Sequence, residues 1–369
     1  MKRKSYVWSN EIYQGDDYSE IESLRSIFVD LDSNTSRRSI SKDYYRRKLK
    51  DNPEGEGVLH VIKVDSKIVG MLSLTPKTFT VRGKQILSAE LGDAFINPKY
   101  NQRGMFNSLL TSTLKTAADS GYEFIYGTPN DLALPGERKA GYEIINSVHL
   151  KSMVYAVSPW TVFDIKSKGN VKKRFLKIPL KLAGIFMKAY IYIRSSCNKI
   201  FYSSEGIHVQ SLSQCPGDLF EHIQQDDSHF DIKLQRNATY LNWRFIDNID
   251  KYLIYGVKKK EKTIGYFILK IGIWEGAKVG YIADYYVMHE EKNAFILSLD
   301  YMIKVLLDND VDMIATWSVS KNYFHKYFKR NLFIKVKDVP VICFKNELGL
   351  SIINSEMRWH FTMADSDNI

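Results

Sequence analysis

Apolar residues at Ile21, Leu24, Ile27, Phe28 and Leu31 recur at three- and four-residue intervals, which predicts an amphipathic helix over Ser19–Leu31. Ser19 and Glu22 stand at capping-box spacing at its start, and a charged, loop-like stretch follows it. Two apolar runs, Val58–Val64 and residues 68–74, then read as strands joined through Asp65-Ser66-Lys67. Pro76 is expected to end the second strand, because proline has no N–H for the ladder. Arg82-Gly83-Lys84 turns the chain into a longer run, residues 85–96, which Asn97-Pro98 stops. From Gly104 onward, Met105, Phe106, Leu109, Leu110, Leu114, Ala117 and Ala118 mark the inner face of a second helix, with Gly121 as its C-terminal cap. Residues 124–126 form a short buried strand. A brief irregular segment then leads to Gly141-Tyr142 and another strand over 144–155.

The second half follows the same order. Strands are expected over 253–257, 263–270 and 279–287, then a helix over 295–307, a buried strand over 313–317, a helix over 322–329 and strand material over 333–344. Val69-Gly70 aligns with Ile264-Gly265, and the Asp93 strand with the Asp284 strand, so one fold used twice is the natural reading. The class is α+β: two domains, each a mixed, largely antiparallel sheet flanked by helices. Their expected extents are 1–158 and 216–369, with a helical linker over 159–215. Within the linker, residues 172–193 alternate basic and apolar residues. A strut between domains and a peripheral membrane contact both fit that pattern.

Composition narrows the setting. Of 369 residues, 44% are hydrophobic and 25% charged, as in an ordinary folded chain. The net charge of +10 favours an anionic partner. No zinc finger, RNP aromatic pair or basic zipper is present, which argues against specific nucleic-acid recognition. Cys197, Cys215 and Cys343 share no metal-type spacing, and the eight histidines show no HxxxH or HxH pairing, so no metal is expected. The basic start, Met1 to Tyr6, is followed by no apolar region, and no apolar stretch reaches the roughly 20 residues of a membrane span. A cytoplasmic protein is the expectation.

The most informative segment runs Glu90-Leu91-Gly92-Asp93-Ala94-Phe95-Ile96-Asn97-Pro98-Lys99-Tyr100-Asn101-Gln102-Arg103-Gly104-Met105-Phe106. A strand ends at proline, a polar turn carries glycine, and an amphipathic helix begins. Such a turn presents free N–H groups and the positive end of a helix to an anion. This segment resembles the acyl-CoA-binding motif of the GNAT superfamily, and the resemblance extends from Ser19 to about Tyr155. The family pattern is Gln/Arg-x-x-Gly-x-Gly/Ala; here Asn101 stands first, Gly104 is kept, and Phe106 stands last.

The resemblance implies an acyltransferase using acetyl-CoA as co-substrate. It implies that Gln102, Arg103, Gly104, Met105, Phe106 and Asn107 hold the pyrophosphate, that Phe95 and Ile96 pair with the pantetheine arm, and that Asn130 contributes after the next strand. Direct attack of an amine on the thioester needs a base and oxyanion donors. Glu90 and Asp93 are the candidate bases, although a spacing of three puts them on opposite faces of a regular strand unless a bulge intervenes. The family's leaving-group tyrosine precedes the Gly-aromatic pair by four residues, where Glu137 stands here; Tyr126 and Tyr142 are substitutes for the acid role.

The second repeat has Met288-His289-Glu290-Glu291-Lys292-Asn293 at the corresponding turn, without glycine and with two carboxylates, and so resembles a degenerate GNAT domain. Trp243, Arg244, Trp359, Asp365 and Asp367 are its candidates for binding the acceptor, with a solvated C-terminal tail as the plainer alternative. The expected acceptor is a small amine, in particular a nucleotide-linked amino sugar for surface polysaccharide. A non-catalytic CoA-binding module and a Fem-type aminoacyl-tRNA-dependent transferase are the alternatives.

Overall fold

The computed structural model describes residues 6–31, 35–36, 41–100, 104–167, 175–201, 206–215, 217, 229–248 and 250–367. The strands of the first half are β1 (Trp8–Ile12), β2 (Thr35–Ser36), β3 (Val58–Val64), β4 (Lys67–Val81), β5 (Lys84–Ile96), β6 (Phe124–Gly127), β7 (Tyr142–Ile144) and β8 (Leu150–Tyr155). Those that follow are β9 (Ile207–Leu212), β10 (Ile232–Leu234), β11 (Tyr252–Lys259), β12 (Lys262–Trp274), β13 (Ala277–Val287) and β14 (Met313–Val319). The last three are β15 (Ile334–Asp338), β16 (Ile342–Phe344) and β17 (Trp359–His360). Helices α1 (Ser19–Leu31), α2 (Lys42–Leu49), α3 (Met105–Asp119), α4 (Leu134–Lys139), α5 (Pro159–Lys166) and α6 (Lys177–Phe201) precede four more among the described residues of the second half.

Two mixed sheets flanked by helices result, as the two-domain α+β reading requires. The first sheet has the order β1-β3-β4-β5-β6-β16-β7, and the second β15-β8-β14-β13-β12-β11-β9. Each contains one parallel pair at its centre, β5–β6 and β13–β14. Each also carries a β-bulge next to its central aspartate, Asp93 or Asp284. In the first, Met71 faces Phe95 and Ser73 faces Gly92, so Leu72 alone opposes Asp93 and Ala94. In the second, Ile268 faces Asp284 and Leu269 faces Ile282, which leaves Ala283 as the extra residue. The repeat inferred from the Asp93 and Asp284 strands is therefore geometrical as well as sequential.

The halves exchange strands. β8 leaves the first half to pair with β14, and β16 returns from the second half to lie between β6 and β7. The single strand expected over 144–155 is thus two strands in two sheets, parted by a 3-10 turn at Asn146–Val148 and a left-handed His149. The material expected over 333–344 divides in the same way.

Three local expectations are corrected. Pro76 does not end its strand: β4 continues to Val81, and Pro76 pairs with Ala89 of β5. Its carbonyl accepts from Asn52 on the side where β3 has already stopped at Val58↔Leu74. The missing N–H therefore interrupts no ladder. The charged stretch before β3 holds α2, capped by Ser41. Ser19 and Glu22 make no capping box: Asp17 accepts from the Ser19 N–H and hydroxyl, while Glu22 accepts from the Lys42 N–H and ties α1 to α2.

Candidate functional site

β5 pairs with β6 only as far as Glu90↔Tyr126, whereas it continues to Ile96. Beyond Glu90 the two central strands splay, and β6 does not follow β5 over 91–96. The bulge lies within this stretch, with Asp93 at φ 52°. An extra residue reverses the alternation of side chains. Glu90 and Asp93, three apart, therefore face the same cavity, which the sequence left open.

That cavity, of about 300 Å³, is walled by 90–94 of β5, the loop Thr128–Asp131 and Glu137 of α4. The second sheet closes it with Ser152, Trp317 and the segment from Lys337 to Pro340, and Asp367 reaches it from the C-terminal tail. Asn130 lies on its rim, where its side chain accepts from the Leu132 and Ala133 N–H groups and organises the approach to α4.

At one end of the splay α3 begins. Gly104 precedes it at φ 76°, a conformation that L side chains rarely adopt, and no side chain caps the first turn. Met105 is buried in the core beside β5. Phe106, where the family pattern has a small residue, lays its ring against Gly136 of α4; a Cβ on Gly136 would fall 2.5 Å from that ring. Asn107 is exposed on the first turn. Gln102 and Arg103 lie outside the described residues. Phe95 turns its side chain into the core around Tyr18 and Tyr45, and Ile96 packs on the opposite core. Only their backbone groups are at the edge.

Below the splay is a buried cluster of six charges. Lys48 Nζ lies 2.6 Å from Asp93 and 2.5 Å from Asp367. Lys77 Nζ lies 3.2 Å from Asp367 and approaches Glu90 Oε2 at 3.4 Å, an ion pair outside hydrogen-bond geometry. Arg244 reaches Asp367 at 3.8 Å and donates to the Ser366 carbonyl. Three cations thus meet three carboxylates, which is what allows them to be buried. The Asp367 N–H donates to Glu90 Oε1 at 2.9 Å. Burial and the neighbouring Asp367 push the Glu90 carboxyl up to about 7, against the pull of Lys77 and Lys48. Burial alone would lower Lys77, but Asp367, Tyr240 and Glu90 hold it above its ordinary value.

Glu137 differs from these. It is 4% exposed, its Oε2 is buried without a hydrogen-bond partner, and burial pushes its carboxyl up to about 7. Between its ordinary 4.5 and about 7 the folded chain keeps a proton that the unfolded chain has lost. Its contribution to stability therefore falls as pH rises through that window. Glu137→Gln is expected to raise stability by up to about 3 kcal/mol well above pH 7 and by little at acid pH. Thermal melts across pH check this; an equal gain at both ends would remove the assignment.

The remaining expected site residues are dispersed. Tyr126 is fully buried, donates to the Asp365 carbonyl and packs against Phe79 and Phe124, so its hydroxyl is committed to holding the tail. Tyr142 is likewise core. Trp359 is 2% exposed and donates to Ser147. Asp365 belongs to a second charge cluster, where Arg236 holds it and Asp284, each at 2.8 Å. Trp243 is half-buried under Arg47. Of the five proposed acceptor residues, Asp367 alone lines the cavity, and the tail is no solvated end, since residues 359–367 are all buried. The residues that sequence reasoning missed are Lys48, Lys77, Trp317 and Lys337. Lys77 follows Pro76, where the sequence reading ended the strand, so the pattern gave no signal for it.

In the second half the corresponding edge is occupied by the chain itself. β13 leaves β14 after Ile282↔Thr316, but the Tyr285 carbonyl accepts from His360 and the Val287 carbonyl from Tyr323. Among the described residues no group of His, Cys, Asp and Glu is arranged to hold a metal.

Residues 21–145 match the family model described as an acetyltransferase (GNAT) domain. No curated protein matches the chain in sequence. Solved structures share its fold at low identity. A GCN5-related N-acetyltransferase from Anabaena variabilis is 13% identical with a TM-score of 0.60, over 91% of this chain and 72% of that one. N-myristoyltransferase from Saccharomyces cerevisiae, with bound myristoyl-CoA and inhibitors, is 14% identical with a TM-score of 0.61, over 93% and 82%. A tandem GNAT protein from the clavulanic acid biosynthesis pathway is 9% identical with a TM-score of 0.57, over 91% and 98%. The matched segment is thus a GNAT domain, and the chain as a whole has the fold of two GNAT-like domains, with a splayed first sheet and a bulge in each.

Proposed function

We propose that the chain is an N-acetyltransferase that moves an acetyl group from acetyl-CoA to the amine of a nucleotide-linked amino sugar. The observation that carries the reading is the splay of β5 from β6 beyond Glu90↔Tyr126, which runs from buried Glu90 to the first turn of α3 with its left-handed Gly104. A pantetheine arm fits such a splay as a strand would, through the backbone at Phe95 and Ile96. Its pyrophosphate fits the N–H groups beyond Gly104. CoA supplies the activated thioester when bound. The chain's part is to hold it, to orient the amine and to move two protons. Glu90, with its carboxyl near neutrality, takes the proton of the attacking ammonium. Glu137, which burial holds partly protonated up to about pH 7, returns one to the departing thiolate. The second sheet's Trp317, Ser152 and Lys337 offer an aromatic face, a hydroxyl and a cation to a sugar carrying an anionic group.

One CoA per chain is expected in calorimetry, because the second edge is filled by the chain's own side chains. Gly104→Val, which forces a β-branched residue to φ 76°, should weaken CoA by roughly 10-fold or more in a folded protein. Two equal sites, or unchanged affinity in the variant, would overturn the assignment. Thiol release with a panel of free and nucleotide-linked amino sugars tests the acceptor; tight CoA binding with no release by any amine supports a non-catalytic module instead.

A further inference from the structure

α6 carries two stripes on opposite sides. Gly184, Met187, Ile191 and Ser195 face inward at helical spacing, and Arg194 and Asn198 reach Asp300 of the helix Lys292–Asp308 at 3.7 and 2.6 Å. Ile178, Leu182, Ile185, Phe186, Ile193 and Ile200 fall on the other side, and all are exposed, from 50% at Leu182 to 74% at Ile200. At about 3.6 residues per turn these six lie in one sector opposite the inward stripe. A helix exposed to water ordinarily shows polar residues there. Lys181, Lys188 and Lys199 stand together along one border between the stripes. The helix has five basic residues and no carboxylate, and the sequence contains no Asp or Glu between Asp164 and Glu205.

We propose that α6 docks the protein on an anionic lipid membrane. It would lie in the surface plane with the outward stripe in the headgroup–acyl boundary and the lysines on the anionic headgroups. No helix among the described residues is long and apolar enough to cross a membrane, so α6 lies on the surface and does not span it. A second copy of the chain is the poorer occupant. A two-fold pairing of α6 with itself would set like charges against like with no carboxylate to compensate.

The test is flotation of the full chain with vesicles of phosphatidylcholine alone and of an equimolar phosphatidylcholine–phosphatidylglycerol mixture. Binding is expected with the anionic vesicles, weakening as salt rises. Ile185→Asp with Phe186→Asp and Ile193→Asp should reduce it roughly 100-fold or more, with an unchanged melt and unchanged CoA affinity. Lys181→Gln and Lys188→Gln should each weaken it about fivefold. Failure of the wild type to float with anionic vesicles, or undiminished binding by the triple variant, would overturn the proposal. A wild-type dimer that the triple variant dissociates, with no vesicle binding, would assign the face to a second copy instead. None of these outcomes depends on acyl transfer.

Discussion

Removal of residues 357–369 is expected to leave a chain that does not fold. Trp359, Phe361 and Met363 are buried in the larger core, and β17 pairs with β10, which in turn pairs with β4 of the first sheet. Losing a buried Trp or Phe costs about 3–5 kcal/mol each. Stripping a partner from a buried ion pair costs a similar amount, about 3–5 kcal/mol. The tail supplies Asp365 to Arg236, and Asp367 to Lys48, Lys77 and Arg244. Total stability of roughly 5–15 kcal/mol does not survive that loss. Circular dichroism and solubility of the truncated chain are the readout. A cooperative melt near that of the full chain would show that the tail is no part of the core.

Glu90→Gln is expected to lower kcat by roughly 100- to 10,000-fold while CoA affinity stays close to that of the parent. Only the ionised carboxyl accepts a proton, and the Glu90 carboxyl lies at about 7. Activity of the parent should therefore rise with pH on the acid side of about 7, with loss of the Glu137 proton opposing it above that, and the rising limb should be absent from the variant's residual activity. Asp93→Asn serves as the contrast. Asp93 is held by Lys48, Ser73 and Tyr45, so its loss leaves Lys48 short of a partner and should show as lowered stability, with the pH limb retained. If the two variants exchange these behaviours, the base is Asp93. If neither alters the pH profile, the base lies elsewhere in the cavity.

Much of the architecture follows from local pattern. The α1 stripe, the apolar run of β3, the glycine turn before α3 and the Asp93–Asp284 correspondence all depend on neighbours within a few residues. Such neighbours set period, turn chemistry and capping. The glycine turn between β5 and α3 was legible for the same reason, since Pro98, Gly104 and the first turn of α3 lie within a few residues of one another.

What the tertiary structure alone decided depends on partners far apart in the chain. The exchange of β8 and β16 is invisible to periodicity, because a strand's propensity does not name the sheet it joins. The bulge that turns Asp93 to the side of Glu90 arises from an extra residue opposite Leu72, and so is a property of pairing between two strands. The acidic tail read as open to solvent because Asp365 and Asp367 carry charge; four cations from distant elements, Arg236, Lys48, Lys77 and Arg244, make their burial tolerable. On α6 the periodicity shows two stripes, but which is covered is decided by the helix Lys292–Asp308, more than 90 residues away in the chain. Local sequence determines which elements form and where they can turn, while burial, charge compensation and the choice of sheet partner exist only once distant segments meet.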